Sequence, residues 1–471
     1  MIIAIGLFLL CAAGAAFAGS CVTPNDPEIK ASSDSAAIQA AVDLAAEKGL
    51  GQVVVPRTNA RTGKNVWDIE KCILLPSDMT VILDGCRLRM ADGVFDNMFR
   101  NSLTYTPEGN TPEGTQRNIR LIGKNGAVLD GGLPNGLNEF TSEKNGLPSK
   151  FANLLIFLHN VEDFEVSGLE CRDQRWYVFL AFFCRNGVIR DMHLRLTRHA
   201  LDTHETWRNQ DGIDISMGCS NILIQNIEGE TGDDFIAICS MSTREEAKQW
   251  YVEGSELDVH DITVRDIRGI TSMCALIRLL CHKGCKVYNI SMSNIFEISR
   301  PGKEAQSQMC FRIGDDLPDY FRFSPEMRCK PGDMHDISID NVFTRARTAI
   351  NLCGCVKNLH ARGIHVHSDG GPALWCGFNA VSDVFIYHPS RQAEYDAIRG
   401  PYPVPDSPRA TLENIRVEDV YYTADGKHAP AVLCMSDSDM KNVIVENVNC
   451  DADIPLAWYK DGEKDRFEIK R

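Results

Sequence analysis

A short β-branched run ending in a small polar residue and another apolar one recurs along most of this chain. It reads FEVSGL (164–169), GVIRDM (187–192), ILIQNI (222–227), ITVRDI (262–267), ISMSNI (290–295), ISIDNV (337–342), IRVEDV (415–420) and VIVENV (443–448). Alternating apolar residues closed by Asn or Asp describe a half-buried strand followed by a turn. The closest copies lie about 22 to 28 residues apart, and wider gaps read as the same period with loops inserted. One such unit cannot bury its own apolar face, so the coils must stack into a solenoid.

Six cysteines fall just before the repeated strand: Cys184, Cys219, Cys281, Cys329, Cys353 and Cys434. Stacked coils set equivalent residues ~4.8 Å apart, so a ladder of small buried thiols is expected in preference to disulfides. CHKGC (281–285) and CGC (353–355) have no matching second pair, which argues against a compact zinc module. No metal and no cofactor is expected.

The two ends differ from the repeat. Residues 1–18 carry no charged side chain and end in Ala16-Phe17-Ala18, which reads as an export leader cleaved before Gly19. Cys21 leaves a lipid tether as a weaker reading. Residues 34–49 place Ala37, Ile38, Ala41, Val42, Ala45 and Ala46 on one helical face with Gly49 as a stop, predicting a helix that caps the open end of the solenoid. QVVVP and MTVILDG then read as the first strands. The stretches 100–117 and 399–408 read as excursions on one face, so residues 19–471 are taken as one domain.

With 64 acidic against 49 basic residues and a net charge of −15, the chain is a poor nucleic-acid binder. No run after the leader approaches the roughly 18 apolar residues of a membrane span. A secreted or periplasmic monomer acting on a polysaccharide or oligosaccharide is the expectation.

The densest polar constellation is NQDGIDI (209–215) with TGDDFIAI (231–238). Asp211 and Asp233 are 22 residues apart, close to one coil, so they should stand on adjacent coils with Asp234 beside them. Carboxylates this close raise at least one pKa. Glycosidic cleavage needs that division: one protonated acid for the leaving oxygen, one ionised base for water. Either motif alone also suits a turn, since Asp, Asn and Gly favour turns. Two of them one coil apart favour a site.

These motifs resemble the NTDG and GDDC-AI signatures of the polygalacturonase family, glycoside hydrolase family 28. The helical start and the Asn-rich repeats are similar to the same right-handed parallel β-helix superfamily. The resemblance implies an all-β, right-handed parallel β-helix with an N-terminal capping helix. It implies an inverting hydrolase of galacturonate-containing pectic polymers, with Asp233 as general acid and Asp211 and Asp234 activating water. Where the family has Gly-His-Gly one coil later, this chain has Met273-Cys274-Ala275. Where it has Arg-Ile-Lys, Arg312 is kept and Gly314 stands for the lysine. Arg278 and His282, on the coil after the Asp pair, are candidate replacements.

Lesser candidates are His204 and Trp207, on the approach to Asp211, and the basic stretch RNGVIRDMHLRLTRH (185–199). Trp176 and Tyr177 read as core in preference to a sugar platform. Two further function classes stay open: a polysaccharide lyase on the same scaffold, needing Ca²⁺ and a Lys or Arg base, and a catalytically silent carbohydrate-binding solenoid.

Overall fold

The computed structural model describes residues 21–137, 148–197, 209–242, 245–272, 274–299, 307–314, 329–368, 371–376, 410–424, 432–435, 438–459 and 468–470. The leader, His204, Trp207 and the 399–408 stretch lie outside them. Among the described residues no helix is long and apolar enough to cross a membrane.

Each coil contributes a long strand to one parallel sheet and a short strand to a second, giving sheets of 15 and 12 strands. This is the parallel β-helix with a helical cap that the repeat and the resemblance led to expect. One apolar core runs between the sheets from Val22 to Val445. Each buried Ile or Val contributes ~1.5–3 kcal/mol, and stacking of like on like (Ile222 on Ile262 on Ile290) repeats that gain in every coil.

The polar residue that closes each repeat has a conformational reason. Asn186 and Asp191, Asn221 and Asn226, Asp261 and Asp266, and Asn289 and Asn294 all have φ between +53° and +59°. Asn and Asp tolerate this left-handed region better than other residues with a Cβ. The bends therefore fall twice per long strand, five residues apart. Side chains at these bends also bond from coil to coil: Asn226 Nδ2 donates to Asp191 Oδ1 at 2.6 Å, and Asn294 Nδ2 to Asp266 Oδ1 at 2.8 Å.

The cap helix spans Asp34–Glu47, with the Ser33 hydroxyl accepting from the Ala36 N–H and Lys48 as its C-cap. Ala37, Ile38, Ala41, Val42 and Ala45 are buried as expected, whereas Ala46 faces solvent. The first coils also contain Val66–Ile69 and Ile73–Leu75, two short strands between QVVVP and MTVILDG that the repeat does not mark.

The cysteine ladder is present but short. Cys184 N–H donates to Cys219 Sγ at 3.3 Å, yet the register Ser220↔His260 puts Val259, not a cysteine, at the next rung. Cys281 contacts Cys285 and Cys329, and Cys329 contacts Cys355, as a separate buried group. No disulfide links the described cysteine side chains. The side chain of Cys434 lies outside the described residues.

The two sheets differ in what covers them. Long strands alternate buried and half-buried residues, but Ile213–Ser216, Ile236–Ser240, Met309–Gly314 and Thr348–Leu352 are buried on both faces. Over the earlier coils the outer face of the short-strand sheet carries an aromatic layer of Phe151, Phe157, Phe182 and Trp250. Trp176 and Tyr177 belong to that layer, which agrees with their reading as core. The polar constellation occupies the same outer face on the following coils.

Candidate active site

Asp211 and Asp234 meet because of register. Ile213 pairs with Ile236 and Gly212 N–H donates to Asp234 O at 2.9 Å, so this coil has 23 residues and not 22. Asp211 is therefore level with Asp234, and Asp233 stands one residue earlier. Gly212 is explained by the same contact. A Cβ there would lie 2.3 Å from the Phe235 carbonyl oxygen, so the glycine serves coil-to-coil approach and not a left-handed turn.

The backbone beneath the carboxylates is pinned by buried polar side chains. Gln174 Nε2 donates to the Gln210 and Asp211 carbonyls at 3.1 and 3.2 Å, and Gln210 Nε2 returns a bond to Gln174 O at 2.8 Å. The hydroxyls of Thr231 and Thr271, neighbours on adjacent coils, both donate to Asp233 O, at 2.7 and 2.5 Å. Such a bonded lattice holds reacting groups in fixed geometry.

Asp211, Asp233 and Asp234 are 3, 8 and 2 % exposed. Asp234 Oδ1 accepts the Ala275 N–H and Oδ2 accepts Arg278 Nη1, both at 3.1 Å, an arrangement that suits an ionised carboxylate. The Asn209 amide lies between Asp233 and Asp211; turned so that its nitrogen faces the acids, it donates to Asp233 Oδ2 at 3.2 Å and also to Asp211 Oδ1. Burial, then the charges of Asp214, Asp233 and Asp234, push the Asp211 carboxyl well above the ordinary carboxylate range, with Arg278 opposing. The expectation that crowding would raise at least one carboxyl thus applies to Asp211.

Arg278 and Arg312 are cross-strand neighbours on the outer face, in the row Asp214, Ala237, Arg278, Arg312 and Asn351. Arg312 is 1 % exposed and its Nη1 donates to Cys274 Sγ at 3.6 Å. His282 is not brought to the carboxylates. It begins the turn at the far end of the strand Ala275–Cys281, ~20 Å along from Ala275. His204 falls outside the described residues. The basic stretch is largely a solvated face: Arg185 pairs with Glu162 and Arg190 with Glu165 on the neighbouring coil.

Three participants were not singled out from sequence: Asn209, Asp214 and Cys274 in its contact with the acids. Asp214 follows Asp211 by three residues within the same motif, where strand alternation from Ile213 already turns it outward. Cys274 Sγ and one oxygen each of Asp233 and Asp234 lie within 4.8 Å of one another.

Residues 114–254, which hold both Asp motifs, match the family model of glycosyl hydrolases family 28. No curated protein matches the chain. Among solved structures, endo-xylogalacturonan hydrolase from Aspergillus tubingensis is similar at 14 % identity and a TM-score of 0.50, over 93 % of this chain and 94 % of that one. The family 28 exopolygalacturonase of Yersinia enterocolitica gives 15 % identity and 0.50, over 92 and 78 %. A tailspike protein mutant of E. coli bacteriophage HK620 gives 11 % identity and 0.51, over 92 and 73 %. These likenesses concern the fold; the match that covers the Asp motifs concerns the family. Over residues 114–254 the chain is thus similar to glycosyl hydrolases family 28, and its fold is a parallel β-helix.

Proposed function

We propose that the protein is exported and hydrolyses a pectic or other uronic-acid-containing glycan with inversion, Asp233 acting as general acid and Asp211 and Asp234 activating water. The observation that carries this reading is the buried carboxylate group from two adjacent coils with Arg278 and Arg312 on the next two. Asp234, bonded by Arg278 and the Ala275 N–H, serves as the ionised partner that orients water. The raised Asp211 carboxyl holds a proton at rest; once that proton has passed to Asp233, the ionised Asp211 is a better base for being raised and takes one from the attacking water, with Asn209 between the two carboxyls. Asp233, the least buried of the three, hands a proton to the leaving oxygen. The two guanidiniums give a substrate carboxylate a charged partner in a site short of water, where such bonds are strong. The names of the Aspergillus and Yersinia proteins point to the same substrate class.

The test is a panel of pectic and other uronide oligosaccharides with product analysis. Hydrolysis gives a new reducing end, first as the inverted anomer by proton NMR, and EDTA leaves the rate unchanged because carboxylates do the chemistry. An unsaturated uronide product, or activity lost in EDTA and restored by Ca²⁺, would move the protein to the lyases. Binding without turnover would make it a silent solenoid.

A further inference from the structure

Cys274 stands where a side chain is costly. Its φ is +64°, and of the described non-glycine residues with positive φ only Tyr105, Phe183 and Cys274 are neither Asn nor Asp. Glycine adopts this conformation without the Cβ penalty, so the Cys274 side chain is held here against a conformational cost. The backbone at and after Cys274 is also pinned. The Cys274 carbonyl accepts the Gln308 and Met309 N–H groups at 3.1 Å each, and the next residue's N–H is the one bonded to Asp234. The side chain is 1 % exposed, with Arg312 bonded to its sulfur and Asp233 and Asp234 beside it. Burial and those two carboxylates push the thiol well above its usual range, so it remains a neutral S–H. A neutral thiol behaves as a small apolar group.

We propose that Cys274 is a positioning residue of the hydrolytic centre: its sulfur fills the space between Arg312 and the Asp233–Asp234 pair and excludes water from it. The proposal rests on the hydrolytic reading above and assigns the thiol no step of its own. Its consequence falls on the protonation of the centre. Asp211 faces Asp214 on its own coil, Asp233 and Asp234 on the next, and Arg278 on the one after, with Cys274 on Arg278's coil and Arg312 one coil further. Its carboxyl is held up first by burial. Cys274 lies beside Asp233 and Asp234, whose charges add to that effect; water in place of sulfur screens them, so the Asp211 midpoint moves down towards the ordinary carboxyl range.

The experiment compares wild type, Cys274→Gly and Cys274→Ser. Aspartate carboxyls are titrated by ¹³C NMR on protein labelled at that carbon, and kcat and KM are followed against pH on the substrate found by the panel. Gly relaxes the backbone while giving up the buried sulfur, so the melting temperature changes little. The expected result for Gly is a downward move of the Asp211 midpoint by about half a pH unit or more. With it, kcat falls about tenfold at nearly constant KM, and Ser, of similar size and also neutral, recovers most of both. A Gly variant with the wild-type titration, or with wild-type kcat across the pH range, would overturn the proposal. If no substrate is cleaved by wild type but the Gly titration still moves, exclusion of water by Cys274 stands and the hydrolytic reading falls.

Discussion

Burial, together with the charges of Asp214, Asp233 and Asp234, holds the Asp211 carboxyl above its ordinary range, and this has a thermodynamic consequence. A raised folded-state pKa means that the folded protein keeps a proton the unfolded chain releases near pH 3.9. Asp211 therefore costs nothing below that pH and becomes progressively destabilising as pH rises through its folded value. Asp211→Asn, which cannot ionise, should gain melting temperature relative to wild type as pH is raised from 4 towards 8, while turnover falls. Thermal melts across that range check the sign; a difference independent of pH would show that Asp211 is not held protonated. Asp211, Asp233 and Asp234 were legible because they recur at nearly one coil. Asn209 and Asp214 were harder to recognise, because within a single NQDGIDI run nothing separates a residue aimed at the acids from one completing a turn. Cys274 could be located by its place in the family pattern, but its left-handed backbone leaves no mark in an isolated Met-Cys-Ala.

The elements follow from two chemical facts, apolar alternation and tolerance of left-handed bends. Asn226, at φ +54° with its amide on Asp191, combines both roles of the repeated polar residue. Asn226→Ala should destabilise by about 2 kcal/mol, from the left-handed penalty and a lost hydrogen bond. Asn226→Gly should cost about half as much, since glycine removes the first term. Urea unfolding measures both, and equal losses would refute the conformational explanation. The long strands were readable in sequence because each carries such a bend. The short strands Val66–Ile69, Ile73–Leu75 and Phe179–Phe182 were not, as brief apolar runs buried on one or both faces lack a period. The thiol ladder was overextended because the place before the strand suits any buried apolar side chain: after Cys219 the register puts Val259, Val287, Met334 and Val356 on that rung.

In the whole molecule, coils stacked in one direction leave an apolar end that must be closed. The helix Asp34–Glu47 closes it by setting Ile38, Ala41, Val42 and Ala45 into the same core as the first strands. Val42→Asp places a charge in that contact and should cost about 3 kcal/mol or more. It should also give concentration-dependent association by light scattering, since an uncovered coil end is a template for pairing. A monodisperse variant melting as wild type would show that the helix is not the seal. The same stacking brings acids from two coils and guanidiniums from the next two onto one face, so the proposed chemistry depends on the solenoid as a unit. The most direct check is turnover by Asp233→Asn on the substrate identified from the uronide panel, with its melting curve alongside. Asparagine keeps the shape and removes the transferable proton, so kcat should fall about 10²-fold or more while the melting temperature stays near that of wild type. Near-wild-type turnover, or a loss of activity that only follows a loss of stability, would contradict the assignment of these carboxylates to catalysis.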